Sequence, residues 1–186
     1  LSSDFPDEFN DIQEFLLGFQ LCQSHILEPG GRKSKVAEAM DGFLLNRGWL
    51  ETQFDIRIES SHLAKVPGDK KISEVYRTIT GNPTHKVDCF KNSIALEVEW
   101  NNKDPFYDRD LNNFRLLFEL RVINIGVIIT RDDELQDIFD ELSRGESYGS
   151  STTHMSKLLP RIQGGGGGGC PILVIGITKK RFNKNC

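Results

Sequence analysis

Residues 125–130 read Ile-Gly-Val-Ile-Ile-Thr, a stretch without charge and without alternation. A strand with one face in water alternates apolar and polar residues. An unbroken apolar run belongs to a strand covered on both faces. Such strands sit in the middle of sheets that carry helices above and below. The run follows a strand-like segment ending at Trp100 and a helical pattern over residues 105–122, where Leu111, Phe114, Leu117 and Phe118 share one face. Strand, helix, strand predicts a parallel crossover of right-handed sense. This sets the fold class: an α/β protein with a central mixed β-sheet flanked by helices.

The remaining segments supply the other layers. Phe9, Ile12, Phe15, Leu16 and Phe19 recur at three- and four-residue steps and predict a helix over residues 7–26, broken by Pro29-Gly30-Gly31. A second helix starts after Ser34 as N-cap, buries Val36, Met40, Phe43 and Leu44, and closes at Gly48. Phe54, Ile56 and Ile58 alternate with charged residues, as in a half-buried strand. Residues 67–81 predict a short basic amphipathic helix, and residues 85–90 and 93–100 a β-hairpin. Asp132-Asp133-Glu134 opens another helix, where the helix dipole favours acids. Residues 155–162 predict a short helix, and residues 171–177 a further buried strand. The six glycines at 164–169 predict a segment too flexible to hold shape. A length of 186 residues fits a single domain over 1–186.

Composition narrows the function. No stretch reaches the roughly 18 uninterrupted apolar residues of a spanning helix. The start, Leu1-Ser2-Ser3-Asp4, lacks the basic-then-apolar pattern of a secretory signal. Cys22, Cys89, Cys170 and Cys186 form no C-x-x-C pair, and the four histidines no H-x-x-x-H pair, which argues against a zinc site. The cysteines read as reduced thiols of a cytoplasmic protein. Apart from the run of glycines at 164–169, no G-x-G-x-x-G occurs, and no P-loop pattern does, so no organic cofactor is expected. Net charge is −4, yet the segment from Arg144 onward carries +6, leaving −10 elsewhere. That division suits a protein holding both metal ions and a polyanion.

The chemistry concentrates in Val87-Asp88-Cys89-Phe90-Lys91-Asn92-Ser93-Ile94-Ala95-Leu96-Glu97-Val98-Glu99-Trp100. Side chains alternate along a strand, so Ala95, Glu97 and Glu99 share one face and Ile94, Leu96, Val98 and Trp100 the other. A turn centred on Lys91-Asn92 pairs Phe90 with Ser93, Asp88 with Ala95 and Lys86 with Glu97. Opposed residues project to the same side, so Asp88 joins the glutamates and Lys86 alternates onto the same face. Converging carboxylates repel unless protonated or bridged by a cation, and an all-oxygen set suits Mg²⁺. An E-x-E pair by itself is more often a solvated strand face. The asparagines and lysine of Asn101-Asn102-Lys103, directly after the acids, tilt the reading toward nucleic acid.

Asp88, eight intervening residues, then Glu97-Val98-Glu99 resembles the motif of the PD-(D/E)-x-K nucleases, and especially Type II restriction endonucleases of the BglII/BstYI/BamHI group. The similarity continues through Trp100-Asn101-Asn102-Lys103-Asp104, Asp108-Arg109-Asp110-Leu111, Gly126-Val127-Ile128-Ile129-Thr130-Arg131 and the strand at 171–177. Val87 stands where the general motif has Pro, and Glu99 where it has Lys, as in the BamHI form. The resemblance implies a restriction-endonuclease-like fold and Mg²⁺-dependent hydrolysis of phosphodiester bonds in both strands of a palindromic DNA site. It implies that Asp88, Glu97 and the Val98 carbonyl hold the metal. Glu99 would bind metal or position water, and Glu38 would be a helix glutamate facing the active site. A non-cleaving DNA-binding or regulatory protein on the same fold, or a repair or junction nuclease, is the alternative.

The loop at 146–154 is dense in hydroxyls and ends in an imidazole. By the same resemblance, Asn101, Asn102 and Lys103, with Ser151, Thr152, Thr153 and His154, are expected to contact DNA. Lys157 and Arg161, four apart on a helix, suit phosphate. Cutting both strands of a palindrome calls for two sites related by two-fold symmetry, hence a homodimer. Apolar residues of the helix at 110–121 are expected to serve its interface or the core.

Overall fold

The computed structural model describes residues 1–28 and 33–186. The described chain forms two compact units, one of Leu1–Thr52 with Val87–Cys186, the other Gln53–Lys86.

The larger unit is an α/β body. Its helices are α1 (Pro6–Gly18), α2 (Gln23–Leu27), α3 (Lys35–Leu45), α4 (Phe106–Glu119), α5 (Leu135–Glu141) and α6 (Met155–Gln163). Its strands are β1 (Leu21–Cys22), β2 (Leu50–Thr52), β5 (Val87–Lys91), β6 (Ile94–Glu99), β7 (Ile125–Arg131), β8 (Ile172–Ile177) and β9 (Phe182–Asn183). Five of them form a mixed sheet in the order β2-β5-β6-β7-β8. The first two pairings are antiparallel and the last two parallel. As the apolar run requires, β7 is an inner strand, buried from Gly126 to Arg131. One face of β6, with Ile94, Leu96, Val98 and Trp100, joins Val127 and Ile129 in a core completed by Phe15, Val36, Met40, Leu44, Trp49 and Phe139. Helix α4 covers the other face and connects the parallel pair β6 and β7. The close approach needs Gly126, because a Cβ there would collide with the Phe114 ring.

The second unit is a two-stranded antiparallel ribbon, β3 (Asp55–Ala64) and β4 (Ser73–Pro83). The basic helix expected over 67–81 is therefore a strand. Val75, Thr78, Ile79 and Thr80 are β-branched, and a paired ribbon gives their backbone partners that an isolated helical turn lacks. The strand expected from Phe54 to Ile58 exists but is scarcely buried, with Ile58 48% exposed. Arg77 ties the ribbon together through Glu59 at 2.9 Å and Glu74 at 2.8 Å.

Other expectations shift as well. The first helix stops at Gly18, and the chain passes through β1 before α2 resumes. The Pro29-Gly30-Gly31 break lies outside the described residues. Ser34 does cap α3, its Oγ accepting from the Ala37 amide at 3.1 Å, and Gly48 adopts a φ of +83°. The last sheet strand, β8, is half-buried because it lies at the sheet edge. The glycines at 164–169 follow α6 as hydrogen-bonded turns, with Gly166 N–H donating to Arg161 O at 2.9 Å and Cys170 N–H to Gly167 O at 3.1 Å. Cys22 and Cys186 are joined in a disulfide with a Cα–Cα distance of 4.9 Å, so only Cys89 and Cys170 are free thiols. The parallel pairing of β1 with β9 brings those two ends together, a contact of 164 residues' separation that no local pattern announces. Among the described residues no helix is long and apolar enough to cross a membrane.

Candidate active site

The β5–β6 hairpin turns at Asn92-Ser93, whose φ values of 45° and 64° are the positive pair that a two-residue hairpin loop demands. Its pairs are Lys91 with Ile94, Phe90 with Ala95 and Cys89 with Leu96. Each partner is two residues away from the register expected with a turn at Lys91-Asn92. A slip of two preserves side-chain parity, so Asp88 still shares its face with the glutamates.

Asp88 and Glu97 are bound to each other's strand. The Asp88 amide donates to Glu97 Oε2 at 3.2 Å, and the Val98 amide donates to Asp88 Oδ2 at 3.1 Å. It is thus the amide of Val98 that meets Asp88. Glu97 and Glu99 lie beneath α4, each 1% exposed. Glu99 Oε2 accepts from Asn102 Nδ2 at 2.9 Å, and Glu99 Oε1 from Arg109 Nη2 at 3.3 Å. Its backbone carbonyl accepts from Thr130 Oγ1 at 2.9 Å, and Tyr107 in turn shares a 2.6 Å hydrogen bond with that hydroxyl.

A fourth acid completes the group. Asp110 is fully buried on the inward face of α4, beside Tyr107, Leu111, Phe114 and Leu117. It lies beside Glu99 and accepts from Arg109 Nε at 2.8 Å. The sequence reading did not single it out, although an acid in the middle of an otherwise apolar helix stripe is a legible anomaly.

The electrostatics follow from crowding in a dry place. Burial pushes the Glu97 carboxyl well above its ordinary value, with the charges of Asp110 and then Asp88 adding to the effect. Burial, and then Asp110, pushes Glu99 up to about 9. Asp110 is raised by burial too, against the pull of Glu99 and Arg109. Two carboxylate oxygens in this group, Glu97 Oε1 and Asp110 Oδ2, are buried with no hydrogen-bond partner. Repelling acids with unused oxygens fit a hard divalent cation by their chemistry. Among the described residues, no three His, Cys, Asp or Glu groups already stand as a metal cage.

Glu38 is on the first turn of α3, exposed and ion-paired with Lys35 at 3.1 Å; the structure does not join it to the four acids. On the same helix it is Asp41 that lines a cleft with Asp88, Cys89 and Lys33, and Lys33 pairs with it. Lys86 belongs to the ribbon unit.

The two segments expected to read DNA are joined. Lys103 and Thr152 form an antiparallel bridge, the Asp104 amide donates to Ser151 O at 3.0 Å, and the Thr153 amide donates to Asn102 O at 2.8 Å. Several of the expected DNA contacts, however, spend their side chains inside the protein. Thr152 Oγ1 accepts from Arg131 Nη2 at 3.1 Å, and Thr153 Oγ1 accepts from the Asn102 amide at 3.1 Å. His154 Nδ1 shares a 2.6 Å bond with Asp133. Arg131, buried at the end of β7, also donates to the Tyr148 carbonyl at 2.7 Å and the Thr153 carbonyl at 3.1 Å, clamping the loop. Lys103 and Ser151 are exposed, and Asn101 and Lys157 half-buried. Arg161 is engaged by Asp108 at 3.0 Å and Asp104 at 3.3 Å. On α4, Leu111, Phe114 and Leu117 are buried in this chain's own body, while Leu116 and Leu120 remain partly exposed.

No curated protein matches the chain. The family model described as restriction endonuclease BglII/BglIII matches residues 1–177.

Proposed function

The chain belongs to the BglII/BglIII restriction endonuclease family, and on that premise we propose that it is a Mg²⁺-dependent Type II enzyme that cleaves both strands of a short palindromic DNA site. The observation that carries the reading is the group of half-buried Asp88 with buried Glu97, Glu99 and Asp110, oxygens of Glu97 and Asp110 being unpartnered. Asp88 and Glu97, with the Val98 carbonyl, would hold the cation. Bound there, a divalent cation offsets the carboxylate charge and draws electron density from a phosphoryl oxygen.

The remaining roles fall to the chain's own groups. Water adds to phosphorus and the bond from phosphorus to one bridging oxygen breaks. Glu99, held from either side by Asn102 and Arg109, orients that water through its carboxyl group. The loops at 101–104 and 151–154 grip the duplex together. Lys103, Ser151, Asn101 and Lys157 meet DNA, while Asn102, Thr152, Thr153 and His154 shape the surface from within. Two copies, related by a two-fold axis, would match the palindrome. The protein would act on DNA as part of a restriction system.

The test is incubation with DNA of known sequence and Mg²⁺, beside Glu97→Ala. Discrete fragments with a common end sequence, absent in the variant, support the proposal. Binding without cutting would instead indicate a DNA-binding protein on this fold, and cutting only at branched or damaged DNA a repair nuclease.

A further inference from the structure

The Arg109–Asp110 pair on α4 leaves an acid half used. Asp110 Oδ1 takes the Arg109 contacts, with Nε and Nη2 each at 2.8 Å. Asp110 Oδ2 has no partner, although the residue is fully buried. An aspartate serving only to anchor Arg109 needs one oxygen. A second one, dry and unsatisfied, is unfavourable unless something positive meets it. Asp110 stands beside Glu99, and its charge weighs on Glu97 more heavily than that of Asp88 does. The other buried and unpartnered carboxylate oxygen belongs to that same Glu97. The Arg109 guanidinium is held between Glu99 and Asp110.

We infer that Asp110 is a further carboxylate of the cation site, contributed by α4 to join Asp88 and Glu97 of the β5–β6 hairpin. This rests on the reading of Asp88 and Glu97 as cation-holding residues. Its consequence is that the site is completed across two layers of the fold: the sheet supplies Asp88 and Glu97, and the covering helix closes it with Asp110. Asp110 then serves binding by turning its unused oxygen toward the cation.

The experiment measures Mn²⁺ binding to the DNA-free protein by calorimetric titration, together with the rise in melting temperature that Mn²⁺ produces. Asp110→Asn is expected to weaken binding by about 10- to 100-fold and to shrink the melting increment, while still unfolding cooperatively without metal. An Asp110→Asn protein that binds Mn²⁺ as the wild type does would overturn the inference. Glu97→Gln runs in parallel. If it too binds normally, the cation reading of the hairpin fails first; if it alone loses binding, only the role of Asp110 fails. A second measurement needs no variant. In wild-type protein with ¹³C-labelled aspartate, substoichiometric Mn²⁺ should broaden the Asp110 carboxyl resonance as strongly as that of Asp88. A sharp Asp110 signal beside a broadened Asp88 signal would sink the proposal.

Discussion

The Asp88 amide donates to Glu97 Oε2 at 3.2 Å, and Glu97 keeps its other oxygen buried and unpaired. One carboxylate is therefore held by the neighbouring strand and at the same time left unsatisfied. Such a group opposes folding and favours a cation. Glu97→Gln removes an acid that can fold here only by taking up a proton, so the metal-free protein should melt about 2–4 °C higher, the equivalent of about 1 kcal/mol in a chain of this size. The same variant should lose about 10²-fold or more of its DNA cleavage. Thermal denaturation in chelator and a plasmid cleavage assay check the two halves. A variant both less stable and fully active would refute the assignment.

The raised carboxyls set a pH dependence. Unfolded, a glutamate titrates near 4.3, whereas burial and Asp110 hold Glu99 near about 9 in the fold. Between those values the folded protein binds more protons than the unfolded chain, so stability falls as pH rises through the window and levels off above it. In chelator, the melting temperature should decline from pH 5 to pH 9, and Glu99→Gln should flatten the decline. The stabilisation added by Mg²⁺ should grow over the same range, because a cation favours the ionised acids.

Arg131 is the buried clamp of the 148–153 loop, and its removal takes its donors from the Tyr148 and Thr153 carbonyls and from the Thr152 hydroxyl, which keeps its bond to Gly149 O. Arg131→Met should cost roughly 2–4 kcal/mol, a few times the penalty of one unsatisfied buried group. Hydrogen exchange at the Thr152 and Thr153 amides should accelerate beyond what global stability explains.

Gly126 lies where α4 crosses β7, against the Phe114 ring. Gly126→Ala should destabilise by about 1–3 kcal/mol through overpacking. Adding Phe114→Leu should recover part of the loss, which a double-mutant cycle measures.

The parts of this design that follow chemical periodicity were legible in the sequence. The apolar run at 125–130 located an inner strand, and alternation placed Asp88, Glu97 and Glu99 on one face even though the turn was set one residue early and the pairing two residues off. What escaped was tertiary. Residues 73–83 have a pattern that either a helix or a strand can carry, and their pairing with β3 decided it. Thr152, Thr153 and His154 have side chains that suit DNA, but Arg131, Asn102 and Asp133 claim them, and those partners come from distant segments. Asp110 stands out in the sequence only as an acid in an apolar helix stripe; what makes it a site residue is its neighbours in space, Glu97 and Glu99.

The Cys22–Cys186 link makes most of the polypeptide a covalent ring. A single protease cut at the exposed ribbon turn around Pro67-Gly68 would open that ring without releasing a piece. The nicked molecule should run as one band on a denaturing gel and split into two only after a reductant is added. Cleavage there would also spare the β5–β6 hairpin, so the trimmed protein, with its halves still tethered, would be a direct gauge of how far the carboxylate centre depends on an unbroken backbone.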